Sequence, residues 1–471
     1  MIRKIIAWIK ERWYQLIGKT TVQDEMKVEI AISDAMMEAL ELWGKLYENN
    51  ADWVDNKSIF SLNLAAAIAS EIARITTIEA KVVIENSSRA DFLSQQFEKI
   101  WDKLREIVEF GAAKGGIVLK PYVDNKEIGF DFVHADQFYP IRFDSNGRIV
   151  ECIFVDQRKK NDKYYTRLEH HNLTDKGVEV KNAAFVSDNS EMLGNPCDLS
   201  LVDEWAELEE DAIVEGVTQP LFGYIRSPGA NNIDPRSPLG VSCFSRATDL
   251  IRKADEQWSN FLWEFDSGKR ALYVDSLAFG KDSDGKSYLP NKRLYRTLET
   301  SSIEGDLFQD WSPTFRQVDL LAGLDAILKK IEFNCGIAYG VLSNPQTIDK
   351  TATEIKSSQQ RTYSAVVDNQ KAIEKGLDDL LYAMDIWTSL SKLAPKGKYT
   401  ATYKFDDSVI VDTDLRFQQD LRLVGTQIMS KMEFRMRNFG EDEATAKERL
   451  AEVKAEQPED LYEQKTAGGL P

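Results

Sequence analysis

Histidine and cysteine are scarce in this sequence, with three histidines and four cysteines among 471 residues. The histidines are His134, His170 and His171. The cysteines are Cys152, Cys197, Cys243 and Cys335. No two histidines have the spacing that places metal ligands on one helix face, and no cysteines form a C-x-x-C pair. We therefore expect no metal site, no cofactor and no disulfide framework, but reduced and mostly buried thiols in an intracellular protein.

The chain also lacks an excess of basic residues. Its 59 Lys and Arg residues face 77 Asp and Glu residues, which gives a formal net charge of −18 and a pI near 4.9. Proteins that grip nucleic acid neutralise phosphates with Lys and Arg, so this composition excludes that class. It remains compatible with DNA that slides past an acidic wall without settling on it.

No stretch provides the ~18 consecutive apolar residues that a membrane span requires. Residues 1–18 instead predict a basic amphipathic helix, with charges too frequent for a signal peptide. Its apolar face carries Ile2, Ile5, Ile6, Ile9, Trp13, Leu16 and Ile17. Its basic residues are Arg3, Lys4, Lys10 and Arg12. Such a helix either binds a membrane surface or a partner, or packs on its own or a neighbouring subunit.

No convincing catalytic constellation is present. The stretch from Gly280 to Ser287 matches the phosphate-loop formula G-x-x-x-x-G-K-S, but Pro290 opposes the helix that must follow Lys286. A solvated hairpin turn is the alternative interpretation. Three carboxylates at Asp319, Asp325 and Glu332 are interpreted as a solvated helix face, with Asp325 and Lys329 forming an i,i+4 pair.

The length of 471 residues suggests roughly three domains, and a hydrophobic fraction of 43% is typical of globular proteins. The first 240 residues predict an α+β region. Helices are predicted from Ser58 through Ile72 and over 91–111, with a glycine stop at 111–116. Strands are predicted at 80–84, 116–123, 128–134, 148–155, 164–170 and 178–186. Residues 223–240, rich in Pro, Gly and Asn, predict a connection.

The later part predicts long helices. Apolar residues at helical spacing indicate helices at 245–266, at 317–335 and from Thr351 to Trp387, and further helices over 414–456. Strands are predicted at 271–279 and 399–405, and residues 457–471 are expected to be frayed. Thr351 and Glu354 form a capping box at the start of the very long helix. Gly336, Gly340 and Pro345 prevent one continuous helix from forming across the second and third of these segments.

This order of elements resembles the portal proteins of tailed bacteriophages, in the branch found in siphophages and prophages. The specific matches lie at 221–226, 230–234, 237–242, 267–269 and 351–354. The resemblance implies a subunit with an α+β wing, a helical stem, a small α/β clip and a helical C-terminal crown. The implied divisions are the wing at 1–240, stem helices at 241–268 and 317–335, the clip at 269–316, a channel loop at 336–350, the long helix and wing return at 351–412 and the crown at 413–471.

The resemblance further implies a homo-oligomeric ring of typically twelve subunits at one capsid vertex. Double-stranded DNA would pass through the ring without sequence-specific contact, driven by the terminase large subunit. Capsid or scaffold proteins and a head-tail adaptor would be the other partners, with no membrane. The location would be the virion, after assembly in the host cytoplasm. The family has no catalytic residues, so the implied protein is not an enzyme.

The loop at 336–350 is predicted to contact DNA in the channel. Neutral groups at Ser343, Asn344 and Gln346 and the single basic Lys350 suit transient phosphate contact. The alternative is a plain buried connection between helices. Two other function classes stay open: a nucleotide-hydrolysing enzyme that uses residues 280–287, and a membrane-surface scaffold that uses residues 1–18.

Overall fold

A computed structural model gives the fold of the chain. It describes residues 19–78, 80–267, 271–275, 295–298, 308–311, 314–344, 352–405 and 413–456. The chain divides into two compact units, the first within residues 1–405 and the second within residues 406–471, and each is described by itself. The predicted α+β fold class is confirmed.

Eleven helices lie in the described residues. They are α1 (Lys19–Met26), α2 (Asp34–Tyr47), α3 (Leu64–Thr77), α4 (Ser88–Trp101), α5 (Leu104–Lys114), α6 (Thr248–Ser267), α7 (Gln317–Cys335), α8 (Ala352–Leu390), α9 (Thr413–Gly425), α10 (Lys431–Phe439) and α11 (Glu443–Glu456).

Fourteen strands accompany them in the same described residues. They are β1 (Lys81–Glu85), β2 (Gly116–Asp124), β3 (Glu127–His134), β4 (Phe138–Phe143), β5 (Ile149–Lys160), β6 (Lys163–Thr174), β7 (Gly177–Ser187), β8 (Asn195–Cys197), β9 (Asp211–Glu215), β10 (Gly223–Arg226), β11 (Ala271–Asp275), β12 (Tyr295–Leu298), β13 (Phe308–Trp311) and β14 (Thr400–Lys404).

The strands form four sheets. The largest has the order β4-β5-β6-β7-β8, and β9 pairs with β7 beside β8. A second sheet has the order β10-β2-β3, and a third joins β1 to β14. The fourth places β11 between a parallel β12 and an antiparallel β13. Because β14 follows α8 in the chain, its pairing with β1 returns the end of the long helix to the N-terminal region.

The long helix α8 provides one side of the main core. Its 39 residues correspond to a length of ~58 Å. Val366, Ile373, Leu377, Leu380 and Met384 are all buried, as the apolar spacing predicts. The last four pack with residues of α3, α4, α5, β2 and β10 in one apolar cluster. The helix is therefore held by packing along much of its length rather than by intrinsic propensity.

Two glycines allow α8 to lie directly on β10. A Cβ atom added to Gly223 would lie 2.2 Å from the carbonyl oxygen of Gly376, and one added to Gly376 would lie 2.6 Å from a side-chain carbon of Ile225. Both distances are far below a normal contact, so the helix and the strand meet backbone to backbone.

The buried Arg89 of α4 fixes the C-terminal end of α8. Its guanidinium donates to the backbone carbonyls of Asp385, Ala394 and Pro395 at 3.2, 2.9 and 2.8 Å. It also pairs with the Asp385 carboxylate at 3.1 Å. Asp385 lies in the last turns of α8, and Ala394 and Pro395 lie just after it, so one charged side chain joins the helix to the segment that follows it.

The helix predicted from Ser58 begins only at Leu64, so that boundary is wrong. The amides of Phe60 and Leu62 donate to Ser259 and Asp255 of α6 at 2.8 Å each. These long-range bonds hold the segment extended where the apolar run favours a helix. Asn63, the N-cap of α3, has a φ of 54° and completes the break.

Two other boundaries also differ from the sequence predictions. The single helix predicted at 91–111 is two helices, α4 and α5, because Lys103 leaves helical geometry at φ −108° and ψ 2°. The predicted connection at 223–240 contains β10, which pairs with β2. The predicted glycine stop is confirmed at Gly115, which has a φ of 86°.

Most of the other elements predicted within the described residues are confirmed apart from small end shifts. The five strands between 116 and 186 correspond to β2, β3, β5, β6 and β7, and the helices at 245–266 and 317–335 correspond to α6 and α7. The strand at 271–279 is described to Asp275, and the strand at 399–405 is β14. The sequence analysis did not identify the helices α1 and α2 or the strands β4, β8, β9, β12 and β13.

The C-terminal unit consists of the three helices α9, α10 and α11, where one helical stretch over 414–456 was predicted. Its aromatic centre contains Phe417, Phe434 and Phe439, with ring centroids 5.2 to 6.4 Å apart. A capping box between Ser430 and Glu433 starts α10. Residues 457–471, predicted to be frayed, lie outside the described residues.

The contact between α8 and β10 makes a prediction that opposes helix propensity. Replacement of Gly by Ala inside a helix normally stabilises it by about 1 kcal/mol. We expect Gly376→Ala to destabilise the first unit by about 1–3 kcal/mol, because the new methyl group forces α8 away from Ile225. Urea unfolding followed by tryptophan fluorescence measures this change.

Gly425→Ala is the matched control, because no atom lies within 4 Å of its added Cβ position. That variant should be neutral or slightly stabilising. Equal stability of Gly376→Ala and the unchanged chain would show that α8 does not need the close approach.

Candidate functional site

Helices α6 and α7 form an antiparallel pair. Glu264 near the end of α6 pairs with Arg316, which precedes α7, at 2.7 and 3.1 Å. Gln257 donates to the carbonyl of Leu320 at 3.1 Å, and Asn334 donates to the carbonyl of Arg246 at 3.0 Å. These contacts run in opposite chain directions, so the pair forms a two-helix stalk over about 20 residues of each helix.

An ion pair and several aromatic rings lie at the end of the stalk where α6 ends and α7 begins. The hydrogen bonds from Arg316 hold the pKa of the Glu264 carboxyl below its usual value. Rings of Phe261, Phe265 and Phe315 follow one another with centroids 4.8 and 4.7 Å apart. Such edge contacts order the rings although Phe265 and Phe315 are exposed.

The predicted apolar stripe of α7 is only half covered within the subunit. Leu324, Ile331 and Cys335 are buried, whereas Val318 is 73% exposed and Leu321 is also exposed. On α6, Trp263 is 62% exposed. A single Leu or Trp at the surface is ordinary, but several large apolar side chains on one two-helix stalk indicate a surface that another protein covers.

The loop that follows α7 is built around Glu332. This carboxylate is fully buried and accepts the amides of Gly340, Leu342 and Ser343 at 3.0, 2.7 and 2.9 Å. It also accepts the Ser343 hydroxyl at 2.8 Å. The prediction of a solvated Glu332 is therefore wrong, because a loop that folds back over the helix end surrounds the side chain.

Glycine makes that return of the chain possible. Gly336 ends α7 with a φ of 73°, and Gly340 has a φ of 94°. Arg361 of α8 lies over the ring of Phe333, with its guanidinium carbon 4.3 Å from the ring centroid. The loop thus starts on a glycine-capped helix end and lies beside α8.

The predicted loop residues have different surroundings. Ser343 is buried against Glu332. Asn344 is exposed, and its amide donates to Asp325 at 2.7 Å. The predicted pair between Asp325 and Lys329 is confirmed at 2.8 Å. Gln346, Lys350 and the cap residue Thr351 lie outside the described residues, and Glu354 lies in the first turn of α8.

Sequence reasoning missed the role of Glu332, although one signal was present. Glu332 directly follows the buried Ile331 and lies three residues before the buried Cys335. An acidic residue beside an apolar stripe, just before a loop with two glycines, can accept the loop amides. The amide partners themselves became visible only from the loop conformation.

Other predicted features have mixed outcomes. All four cysteines are free, and burial raises the pKa of the Cys335 thiol well above its usual value. Among the described residues, no group of three acidic, His or Cys side chains is placed to hold a metal ion. Across the same ranges, each helix is either too short or too polar to cross a membrane. The candidate phosphate loop at 280–287 and the basic segment at 1–18 lie outside the described residues.

The Glu332 network makes a prediction for loop stability. In Glu332→Ala, three loop amides lose a charged acceptor, and we expect them to exchange with solvent faster by on the order of 100-fold. Hydrogen-deuterium exchange of peptides that cover 337–344 measures this change. Asp319→Ala is the control, since Asp319 is an exposed carboxylate on the same helix. Unchanged protection in Glu332→Ala would mean that the loop does not depend on this carboxylate.

Comparisons with known proteins address the identity of the chain. No curated protein matches it by sequence. Among solved structures, this chain is similar to a chain from the neck of a native gene transfer agent particle computed with C12 symmetry. The identity is 9% and the TM-score is 0.43, and the alignment covers 89% of this chain and 98% of the other. The neck of an empty particle with C6 symmetry has 10% identity and a TM-score of 0.45, with 88% and 97% covered.

A model of one protein family matches almost the whole chain. It is described as phage portal protein, SPP1 Gp6-like, and it matches residues 11–460. This family is structural rather than enzymatic. The stalk with its uncovered apolar residues and the glycine-capped loop lie inside the matched range. The chain therefore belongs to the SPP1 Gp6-like family of phage portal proteins, and its function is that of a portal connector.

Proposed function

We propose that the chain assembles into a closed ring of about twelve subunits at one capsid vertex, and that double-stranded DNA enters and leaves the particle through its channel. The terminase large subunit drives packaging, and a head-tail adaptor and capsid or scaffold proteins bind the ring. Assembly takes place in the host cytoplasm. The observation that best supports the ring is the partly exposed apolar surface of the stalk formed by α6 and α7. Membership of the portal family does not by itself say which surface forms the contact between subunits.

The stalk supports this proposal through the geometry of ring closure. A cyclic ring uses heterologous interfaces, in which one patch meets a different patch on the next subunit. Trp263 on α6 and Val318 on α7 are exposed on the stalk, and their burial between subunits gains roughly 1.5–3 kcal/mol each. We assign α6 and α7 to the stem, residues 1–240 with α8 to the wing, residues 269–316 to the clip and residues 413–471 to the crown.

The net charge of −18 per subunit supports the passage of DNA rather than its capture. In a ring the charge of every subunit adds, so the phosphate backbone meets repulsion on most walls. Neutral and single basic groups near the channel then provide brief contacts only. We propose the loop at 336–350 as the site of such contacts, with Asn344, Gln346 and Lys350 as the groups that meet DNA and Ser343 as part of the loop anchor.

The ring proposal predicts that a charge on the stalk prevents assembly. The purified chain should have a mass of roughly twelve times the 53.6 kDa subunit. Val318→Asp should shift the protein toward monomers, because a carboxylate enters an apolar interface at a cost of several kcal/mol. Light scattering after size exclusion measures the mass, and end-on toroids in negative stain show the ring.

Val453→Asp is the matched control, since Val453 is also exposed but lies on α11. It should leave the mass unchanged. If the unaltered protein is monomeric over a wide range of concentration and salt, the ring proposal fails. If Val318→Asp assembles normally, the stalk surface is not the contact.

The loop proposal predicts that changes in the loop impair DNA packaging without preventing ring assembly. The triple variant Asn344→Ala, Gln346→Ala and Lys350→Glu keeps the Glu332 anchor, so rings should form. DNA packaging in a reconstituted system should fall by roughly tenfold or more, because each subunit exchanges a phosphate contact for repulsion. Lys398→Glu, at an exposed position after α8, is the control for the charge change. Normal packaging by the triple variant, or loss of rings, would assign the loop a structural role.

A further inference from the structure

One edge of the largest sheet carries an unusual surface. The outer edge of β7 is covered by two short strands, with β8 opposite 184–186 and β9 opposite 177–181. The chain between Asp188 and Glu215 therefore runs along β7, whose 11 residues span roughly 35 Å. We call residues 188–215 the acidic edge.

The acidic edge contains ten acidic residues and no Lys or Arg. They are Asp188, Glu191, Asp198, Asp203, Glu204, Glu207, Glu209, Glu210, Asp211 and Glu215. Asp203 pairs with Lys160 at 3.1 Å. The carboxylates of Glu204, Glu207 and Glu210 are exposed. No basic residue in the described part of the chain pairs with these three carboxylates, so a basic partner would relieve their repulsion and stabilise this surface.

Large apolar side chains are interspersed with these carboxylates. Met192, Leu201, Leu208 and Ile213 are between 39% and 61% exposed. They come from the turn before β8, the loop between β8 and β9, and β9 itself. A surface that alternates carboxylates with exposed apolar residues is complementary to a basic amphipathic helix.

The surface is ordered before any partner binds. Trp205 is buried and donates through its indole to Asp156 at 3.2 Å. Asn182 of β7 bonds the carbonyls of Glu209 and Glu210 at 2.8 and 2.7 Å. The backbone that carries the carboxylates is thus fixed to the sheet, which reduces the entropy cost of binding.

The chain contains one segment with the matching chemistry. Residues 1–18 carry four basic residues against the single acidic Glu11, together with an apolar face. As a helix they would extend ~27 Å, about three-quarters of the length of the acidic edge. The segment joins the fold at Lys19, whose ammonium group bonds the carbonyl of Ile32 at 2.5 Å.

That junction lies at the opposite edge of the same sheet. The neighbouring Ala31 donates its amide to the carbonyl of Pro140 in β4 at 2.8 Å, and β4 is the first strand in the order that ends with β8. A donor segment at one edge and an acceptor surface at the other edge form the two different halves of a heterologous contact.

We propose that residues 1–18 of one subunit bind the acidic edge of the neighbouring subunit as a basic amphipathic helix. The inference rests on the ring in the proposed function. The basic side chains pair with Glu204, Glu207 and Glu210, and the apolar face covers Leu208 and Ile213. Each subunit both gives and receives a segment, so the contact repeats around the ring.

Photo-crosslinking of the full-length protein tests this contact. The residue Trp13 on the apolar face is replaced by p-benzoylphenylalanine, and the sample is irradiated at low salt. We expect a band of doubled mass on a denaturing gel, with the crosslinked peptide inside 188–215. Its yield should fall several-fold at ~0.5 M salt, because screening weakens exposed ion pairs.

Charge reversal tests its specificity. The variant Glu204→Lys, Glu207→Lys and Glu210→Lys should lose the crosslink, and the added changes Arg3→Glu, Lys4→Glu and Lys10→Glu should restore it. Reversal of three other exposed carboxylates should leave it unchanged. These changes are Glu98→Lys on α4, Asp102→Lys between the helices and Glu106→Lys on α5. Light scattering of each variant reports the ring separately.

Three results would overturn the proposal while the ring itself stands. They are crosslinks at monomer mass only, crosslinks mapped outside 188–215, and a yield that charge reversal does not change. Binding of the segment to vesicles of anionic lipid with no protein crosslink would instead assign it to a membrane surface. If the protein is monomeric, the ring proposal fails first, and a doubled-mass band is not expected.

Discussion

The direct contact between α8 and β10 is the constraint on which the rest of the first unit depends. Gly223 and Gly376 let a helix of 39 residues approach a strand more closely than a side chain at either position would allow. Its buried face then closes the core formed by helices α3 to α5 and β2. Arg89 fixes the far end of α8, which positions β14 for pairing with β1. A long helix is stable here because packing surrounds it, not because its residues favour helix.

Buried charge has a different role at the other end of α8. Glu332 accepts three loop amides and one hydroxyl, which fixes the start of the loop after α7, and the positive φ of Gly336 and Gly340 allows the chain to return over the helix end. A charged acceptor gives shorter and stronger bonds than a neutral one. Ser343 therefore has a structural role in the loop, whereas Asn344, Gln346 and Lys350 are the residues proposed to contact DNA in the channel.

The acidic residues are unevenly distributed along the chain, and their positions say more about binding partners than the net charge does. Residues 188–215 hold ten of the 77 acidic residues without one Lys or Arg. In contrast, the carboxylates of Asp325, Glu264 and Asp385 each lie beside a basic partner. Charges that are paired within a subunit stabilise its fold modestly, whereas unpaired charges on a rigid surface select partners.

The sequence by itself determined the fold class, the long helices and most of the strands, because periodic apolar spacing and glycine punctuation are local signals. It also determined the family resemblance and the pair between Asp325 and Lys329. Only the tertiary structure decided the late start of α3 at Leu64, the burial of Glu332 and the partly open stripe of α7. The amides of Phe60 and Leu62 bond residues of α6 that lie 199 and 193 positions further along the chain. Glu332 accepts amides from a loop 8 to 11 residues away, whose return over the helix end the apolar pattern does not specify. Local propensity carries no information about such distant partners, and long-range hydrogen bonds and packing override it.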